Sequence, residues 1–197
     1  ASFQVAEAGF DHQAPAPEVP GPEGFPSEVE RALAVRDRIP ERLRDKILCR
    51  KAIEIRIVDP IDPFAPERRK PVKFAWFRAI DRLPDDPAVH KYLLAYASDF
   101  GLVTTALLPH GHSLLEPRMQ VASLDHAMWF HRDFRMDDWL LYAMHSPSAV
   151  NARGLSFGNV YDPGGTLVAS VAQEGLIRYR GEVGVPAGAE PPDGGPR

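Results

Sequence analysis

The chain reads as an α+β protein in which one long central helix is wrapped by an antiparallel sheet. Three observations lead there. Residues 85–108, "DDPAVHKYLLAYASDFGLVTTALL", carry the strongest helical pattern of the sequence, with apolar residues at helical spacing. Two strand-like stretches precede it, and four more follow it with no second long helical run between them. A lone long helix must bury its apolar side against another layer, and the only other layer on offer is a sheet.

Taken in order, "ASFQVAEAGF" at residues 1–10 reads as the inside of a strand. Residues 11–26, "DHQAPAPEVPGPEGFP", are proline-rich and read as an extended linker with no packed element. Ser27 and Glu30 fit a capping box opening the helical stretch "SEVERALAVRDRI", and "PERLRDKIL" after it reads as a second short helix. In "KAIEIRIVD", Ile53, Ile55 and Ile57 alternate with Glu54 and Arg56, the pattern of a half-buried strand. "DPIDPFAPERRKP" is a loop and "VKFAWFRAI" a second strand. Asp85 or Asp86 can cap the long helix, and Pro87 suits its first turn. "RMQVASLDHAMWFH", "DWLLYAMHSPSAV", "ARGLSFGNVYD" and, after a "PGG" turn, "TLVASVAQEGLIRYR" complete the sheet. The tail beyond Arg180, rich in Gly and Pro, is expected to be disordered. A helix wrapped in this way is the hotdog arrangement.

Composition limits the function classes. Hydrophobic residues make up 44% and charged residues 25% of the 197, enough apolar material for a packed core. The formal net charge is −4 with no basic stripe, which argues against nucleic acid as a partner; the short run Glu67-Arg68-Arg69-Lys70 reads as a solvated loop. No apolar run reaches the length of a membrane span. Cys49 stands alone, so no disulfide can form within this chain; it is expected to be a buried small residue, and the location cytoplasmic. His110 and His112 in "PHGH" lack a third ligand in pattern, so no metal and no cofactor are expected.

Three polar residues fall where apolar ones are expected. Asp99 follows Tyr92 and Tyr96 at i+7 and i+3, on the helix face expected to touch the sheet; an Asp on a solvated face is the alternative. Ser123 shares a strand face with Val121, Ala127 and Trp129, where a small locally bonded filler would also fit. Gln173 alternates with Ala169, Val171 and Ile177, and a buried amide without partners costs roughly 1–3 kcal/mol, so it is either a satisfied structural residue or a working one. Residues 169–177, "ASVAQEGLI", also echo "ASFQVAEAGF" at the start, which suggests a duplicated unit.

"YASDFGLVTTALLPHG", "ASLDHAMWFHRDFRMDDWLLY", "SPSAVNARGLSFGNVYDPGGTLVASVAQEGLIR" and "ASFQVAEAGFDHQ" together closely resemble acyl-CoA thioesterase II, the double-hotdog thioesterase family, over residues 1 to about 180. The resemblance implies that residues 1–10 are the last strand of a truncated first hotdog domain. Residues 11–48 would then be a linker with short helices, 49–180 the second hotdog domain, and 181–197 a tail. It further implies an acyl-CoA thioester hydrolase whose catalytic group carries over to Asp99, Ser123 and Gln173, with Ser123 standing where the family usually has Thr. Asp125, His126, Trp129, His131 and Arg132 are then the structural signature around Ser123. Tyr96, Val103 and Met128 are expected to line an acyl tunnel between helix and sheet, and a homo-oligomer is expected. The competing reading is a non-catalytic hotdog remnant that binds acyl groups or a protein partner. A hotdog hydratase, which would need an Asp–His pair on a loop-helix segment, finds no matching motif.

Overall fold

A computed structural model describes residues 2, 4, 5 and 7–181 of the chain. Seven antiparallel strands form one sheet, β1 (Ile53–Val58), β2 (Val72–Ala79), β3 (Met119–Ser123), β4 (Ala127–Phe130), β5 (Leu140–Val150), β6 (Arg153–Tyr161) and β7 (Leu167–Tyr179). Their spatial order is β1-β2-β5-β6-β7, with β3 and β4 one after the other along the outer edge of β7. The continuous strand expected over residues 118–131 is thus two strands. Leu124 and Asp125 leave the ladder to meet the carbonyl of Glu174, and pairing resumes at Ala127.

The long helix is also divided. Asp86 caps α3 (Pro87–Ala97) by accepting from the Ala88 N–H, with Pro87 at the first position. The helix stops at Ser98, and a four-residue α4 (Leu102–Thr105) starts beyond Gly101. Gly101 has φ +86°, a backbone conformation that favours glycine, and Lys73 Nζ lies 2.7 Å from where a Cβ would stand. Thr104 and Thr105 both donate their hydroxyls to the Gly101 carbonyl and hold the break in place.

Leu94, Ala97 and Leu102 from the helical segments meet Ala75, Phe77, Tyr142, Met144, Val160 and Val171 of the sheet in one buried core. Val103 packs directly on β7, where a Cβ on Gly175 would lie 2.7 Å from its methyl group. His90, buried at 3% exposure, bonds the Pro84 carbonyl through Nε2 and accepts the Met136 N–H at Nδ1, tying α3 to the entry of β5. Pro147 sits at the register shift of β5 between His145 and Ser148, where no ladder N–H is required.

Residues 11–48 depart from expectation. The Ser27–Glu30 capping box forms, α1 covers Glu28–Ala34 and α2 covers Glu41–Leu48. The proline-rich stretch is extended, yet it is packed. Ala16 and Val19 lie against Leu141, Tyr161 and Leu167 on the sheet's outer face. The Gln13 amide bonds the Gly165 carbonyl at 2.8 Å and the Leu167 N–H at 3.0 Å, and Trp76 donates to the Pro20 carbonyl. Proline fixes the chain extended at little entropic cost, which suits a strap laid across a sheet.

Of the first ten residues, those described carry no regular secondary structure, and Val5 and Phe10 are fully exposed. Cys49 is exposed as well, contrary to the buried residue expected: it caps the end of α2 with its thiol toward the Lys46 carbonyl. The tail expected to be disordered lies outside the described residues except for Gly181.

Candidate active site

The helix break, the end of β3 and the middle of β7 converge. Asp99, in the turn between α3 and α4, accepts at a single oxygen, Oδ1, from Ser123 Oγ at 3.1 Å and from Gln173 Nε2 at 2.5 Å. Asp99 and Ser123 are exposed, whereas Gln173 is buried at 1% exposure. Asp99 therefore faces both solvent and the sheet edge. Its second oxygen carries none of these bonds and is available to a reacting group.

The orientation of the Gln173 amide is dictated by its neighbours. Its Nε2 also contacts His126 Nδ1 at 3.2 Å, and His126 Nε2 lies 2.9 Å from Ser98 Oγ, which donates to the Ala95 carbonyl. Both amide hydrogens are thus used, one on Asp99 and one on His126. The reversed amide would set oxygen against the Asp99 carboxylate. Gln173 Oε1 is left buried without a partner among the described residues, as is the hydroxyl of Ser156, which stands opposite Gln173 in the β6–β7 register. A buried acceptor left free in this way is costly unless something else donates to it.

Tyr142 supports the turn from below, donating its hydroxyl to the Ser98 carbonyl at 2.8 Å. Burial, and secondarily the charge of Asp99, push this phenol above its ordinary range, so it stays a neutral donor. Gly158 makes room for the ring, since a Cβ there would clash with Tyr142 at 2.2 Å.

The predicted residues separate into two groups. Asp99, Ser123 and Gln173 lie together. Tyr96 does not lie between helix and sheet: it is 60% exposed, edge-on to Phe100, and Tyr92 is 72% exposed. The helix face carrying both tyrosines points away from the sheet, and Asp99 reaches the sheet only because the helix has ended before it. Val103 is buried on Gly175, and Met128 is half-buried with its sulfur 3.9 Å from Ser98 Oγ. The contact of His126 with Gln173 was not legible from alternation, because residues 124–126 have left the ladder. Ser156 could have been noticed as a polar residue at an inward position between Gly154 and Gly158.

His112 bonds Glu116, and among the described residues no cluster of three or more His, Cys, Asp or Glu side chains could hold a metal ion. No helix among them is long and apolar enough to cross a membrane.

A comparison with known proteins bears on this geometry. The chain is similar to acyl-CoA thioesterase 2 of Haemophilus influenzae, 39% identical over 91% of this chain and 63% of the relative. Among solved structures it resembles the acyl-CoA thioesterase II TesB2 of Mycobacterium marinum, at 39% identity and a TM-score of 0.66 over 89% of this chain and 60% of that one. A hot dog fold protein of unknown function from Alicyclobacillus acidocaldarius, 16% identical with a TM-score of 0.63 over 88% of this chain and 58% of its own, shares the fold. The chain thus spans about six-tenths of the length of these relatives. The acyl-CoA thioesterase family model matches residues 47–176, from the end of α2 to the middle of β7, and the chain belongs to that family.

Proposed function

We propose that this chain carries the hydrolytic site of an acyl-CoA thioester hydrolase, with Asp99 as general base and Ser123 and Gln173 as the groups that hold it and its water. The observation that carries this reading is the Asp99 carboxylate, fixed through one oxygen by two side chains from β3 and β7 while its other oxygen stays free. A water held at that free oxygen is placed for attack. It gives a proton to Asp99 and bonds to the thioester carbonyl carbon. The tetrahedral adduct collapses, the C–S bond breaks, and the coenzyme A thiolate takes the proton back from Asp99, leaving a free carboxylic acid and a thiol. No covalent enzyme intermediate is needed, because the thiolate is a good leaving group. The acyl chain would run along the apolar surface next to the site, with Tyr96 and Met128 at its flanks and Val103 below.

Release of free thiol from acyl-CoA measures the reaction directly. Asp99→Asn keeps the hydrogen bonds to Ser123 and Gln173 within reach of an amide but removes the base, so the rate is expected to fall by about 100-fold or more. A rate near that of the unaltered chain excludes Asp99 from the role.

A further inference from the structure

On the Lys73 side of the helix break lies a cavity of about 710 Å³, between β1, β2, the loop joining them and the segment that follows α4. Its size falls within the roughly 300–1,000 Å³ typical of small-molecule sites. Most of its wall is apolar, with Ile57, Phe74, Leu108 and Leu115 among the lining side chains. The charged groups on that wall are unequal: Arg31, Arg69, Lys70 and Lys73 against Asp59 and Glu67. Both carboxylates already face Arg69, at 2.5 and 3.7 Å.

Lys73 is the unusual member. It sits on the helix-facing side of β2, in line with Ala75 and Phe77, where the strand otherwise carries apolar residues. Its ammonium donates to Thr104 Oγ1 at 3.1 Å, its one hydrogen-bond partner among the described residues, and no carboxylate there lies within ion-pair distance. Enclosure pushes this amine below the ordinary lysine range; Glu28 opposes the shift and Arg31 adds to it. A half-buried ammonium with one neutral partner is poorly compensated, and an anion brought to it relieves that. Thr104 cannot supply that charge, since its hydroxyl hydrogen is committed to the Gly101 carbonyl.

We infer that this cavity is a binding site for a carboxylate bearing an apolar tail, its head on the Lys73 ammonium and its tail along Ile57, Phe74 and Leu108. Asp99 is not among the lining residues, although Lys73 borders the same helix break, and the inference does not depend on the hydrolytic reading. A free fatty acid has this chemistry, and the proposed reaction would release one, so the cavity is suited to sense product.

Titration of the whole chain with [1-13C]dodecanoate, followed by calorimetry and by the carboxyl resonance, tests the inference. Saturable binding is expected, at least 10-fold tighter than that of dodecanol, which has the tail without the charge. Lys73→Met is expected to weaken dodecanoate binding 10-fold or more and leave dodecanol unchanged, while Lys73→Arg retains binding. Leu108→Trp, which fills the cavity from the other side, should weaken both ligands and guards against a folding defect at position 73. Asp99→Asn should bind as the unaltered chain does. Equal binding of the alcohol, tighter binding of dodecyl phosphate, full retention in Lys73→Met, or loss in Asp99→Asn alone would each overturn the assignment. Thiol release from acyl-CoA is read separately, so failure of the hydrolytic reading leaves this result intact.

Discussion

Ser123 contributes a single hydroxyl, and its whole contact with Asp99 rests on that group at 3.1 Å. A serine can rotate the hydroxyl through three staggered positions; a threonine is stiffer at χ1 because two heavy atoms share its Cβ. Ser123→Ala is therefore expected to lower thioester hydrolysis by about 10-fold, the worth of roughly one net hydrogen bond to a charged group. Ser123→Thr should match or exceed the unaltered rate, read in the same thiol assay, provided the methyl group finds room at the exposed strand end. A Thr variant as slow as Ala would mean that the hydroxyl takes no part in holding Asp99. At this scale, alternation marked Gln173 as a polar residue at an inward position, and the resemblance to a family joined it to Asp99 and Ser123; the helix-face argument for Asp99 did not hold, because the face carrying Tyr92 and Tyr96 points away from the sheet. The His126–Gln173 contact could not be read in the sequence, since it depends on where a strand stops.

The elements were largely legible where one periodicity ran uninterrupted. The alternation of Ile53, Ile55 and Ile57, the capping box at Ser27 and the cap at Asp86 each report a local interaction, and each element forms. What escaped was every decision made by tertiary contact. Residues 98–101 stand between two apolar helical runs that read as one helix, yet the chain breaks there, with Lys73 beside Gly101 and Asp99 turned toward β7. The strap was read as free because proline carries no sign of what it lies against. One clasp holds the entry to α3 and yields a pH test. Asp137, with a side chain 4% exposed, takes two bonds from Arg135 at 2.9 Å and one from the Leu83 N–H at 3.0 Å. Arg135 holds its carboxyl well below the ordinary range near 4, against the opposing effect of burial. A carboxyl with a depressed folded pKa adds stability that is complete above its unfolded value and is lost as pH falls toward the folded one. The gap in melting temperature between the unaltered chain and Asp137→Asn should accordingly be widest above pH 5 and close as pH drops from about 4 toward 2. A gap independent of pH would show that the ion pair contributes nothing specific to the charged form.

At the scale of the molecule, the β3–β4 side of the sheet is an open edge among the described residues, and Leu124, Trp129 and Phe130 are exposed along it. Tyr92, Tyr96 and Phe100 add apolar surface on the outer side of the helix. Unpaired edges and contiguous apolar patches drive association. We propose that copies of this chain associate through that side, and light scattering at tens of micromolar should report more than a monomer. Trp129→Lys should shift the population toward monomer, and a chain that is monomeric throughout would refute the proposal. Strand β7 has a further consequence. It pairs with β6, β3 and β4, carries Gln173, and receives Gln13 from 154 positions earlier in the chain. During synthesis it is the last of these seven strands to leave the ribosome. Until it does, β3 and β4 have no partner, Asp99 and Ser123 have no Gln173 between them, and the strap has nothing to tie to. The nascent chain must hold these segments apart until β7 emerges, at the usual few to tens of residues per second, and only then close them together. Contacts so distant in sequence form slowly, so this protein is expected to be most vulnerable to aggregation and most dependent on chaperones in the interval just before residue 179 emerges.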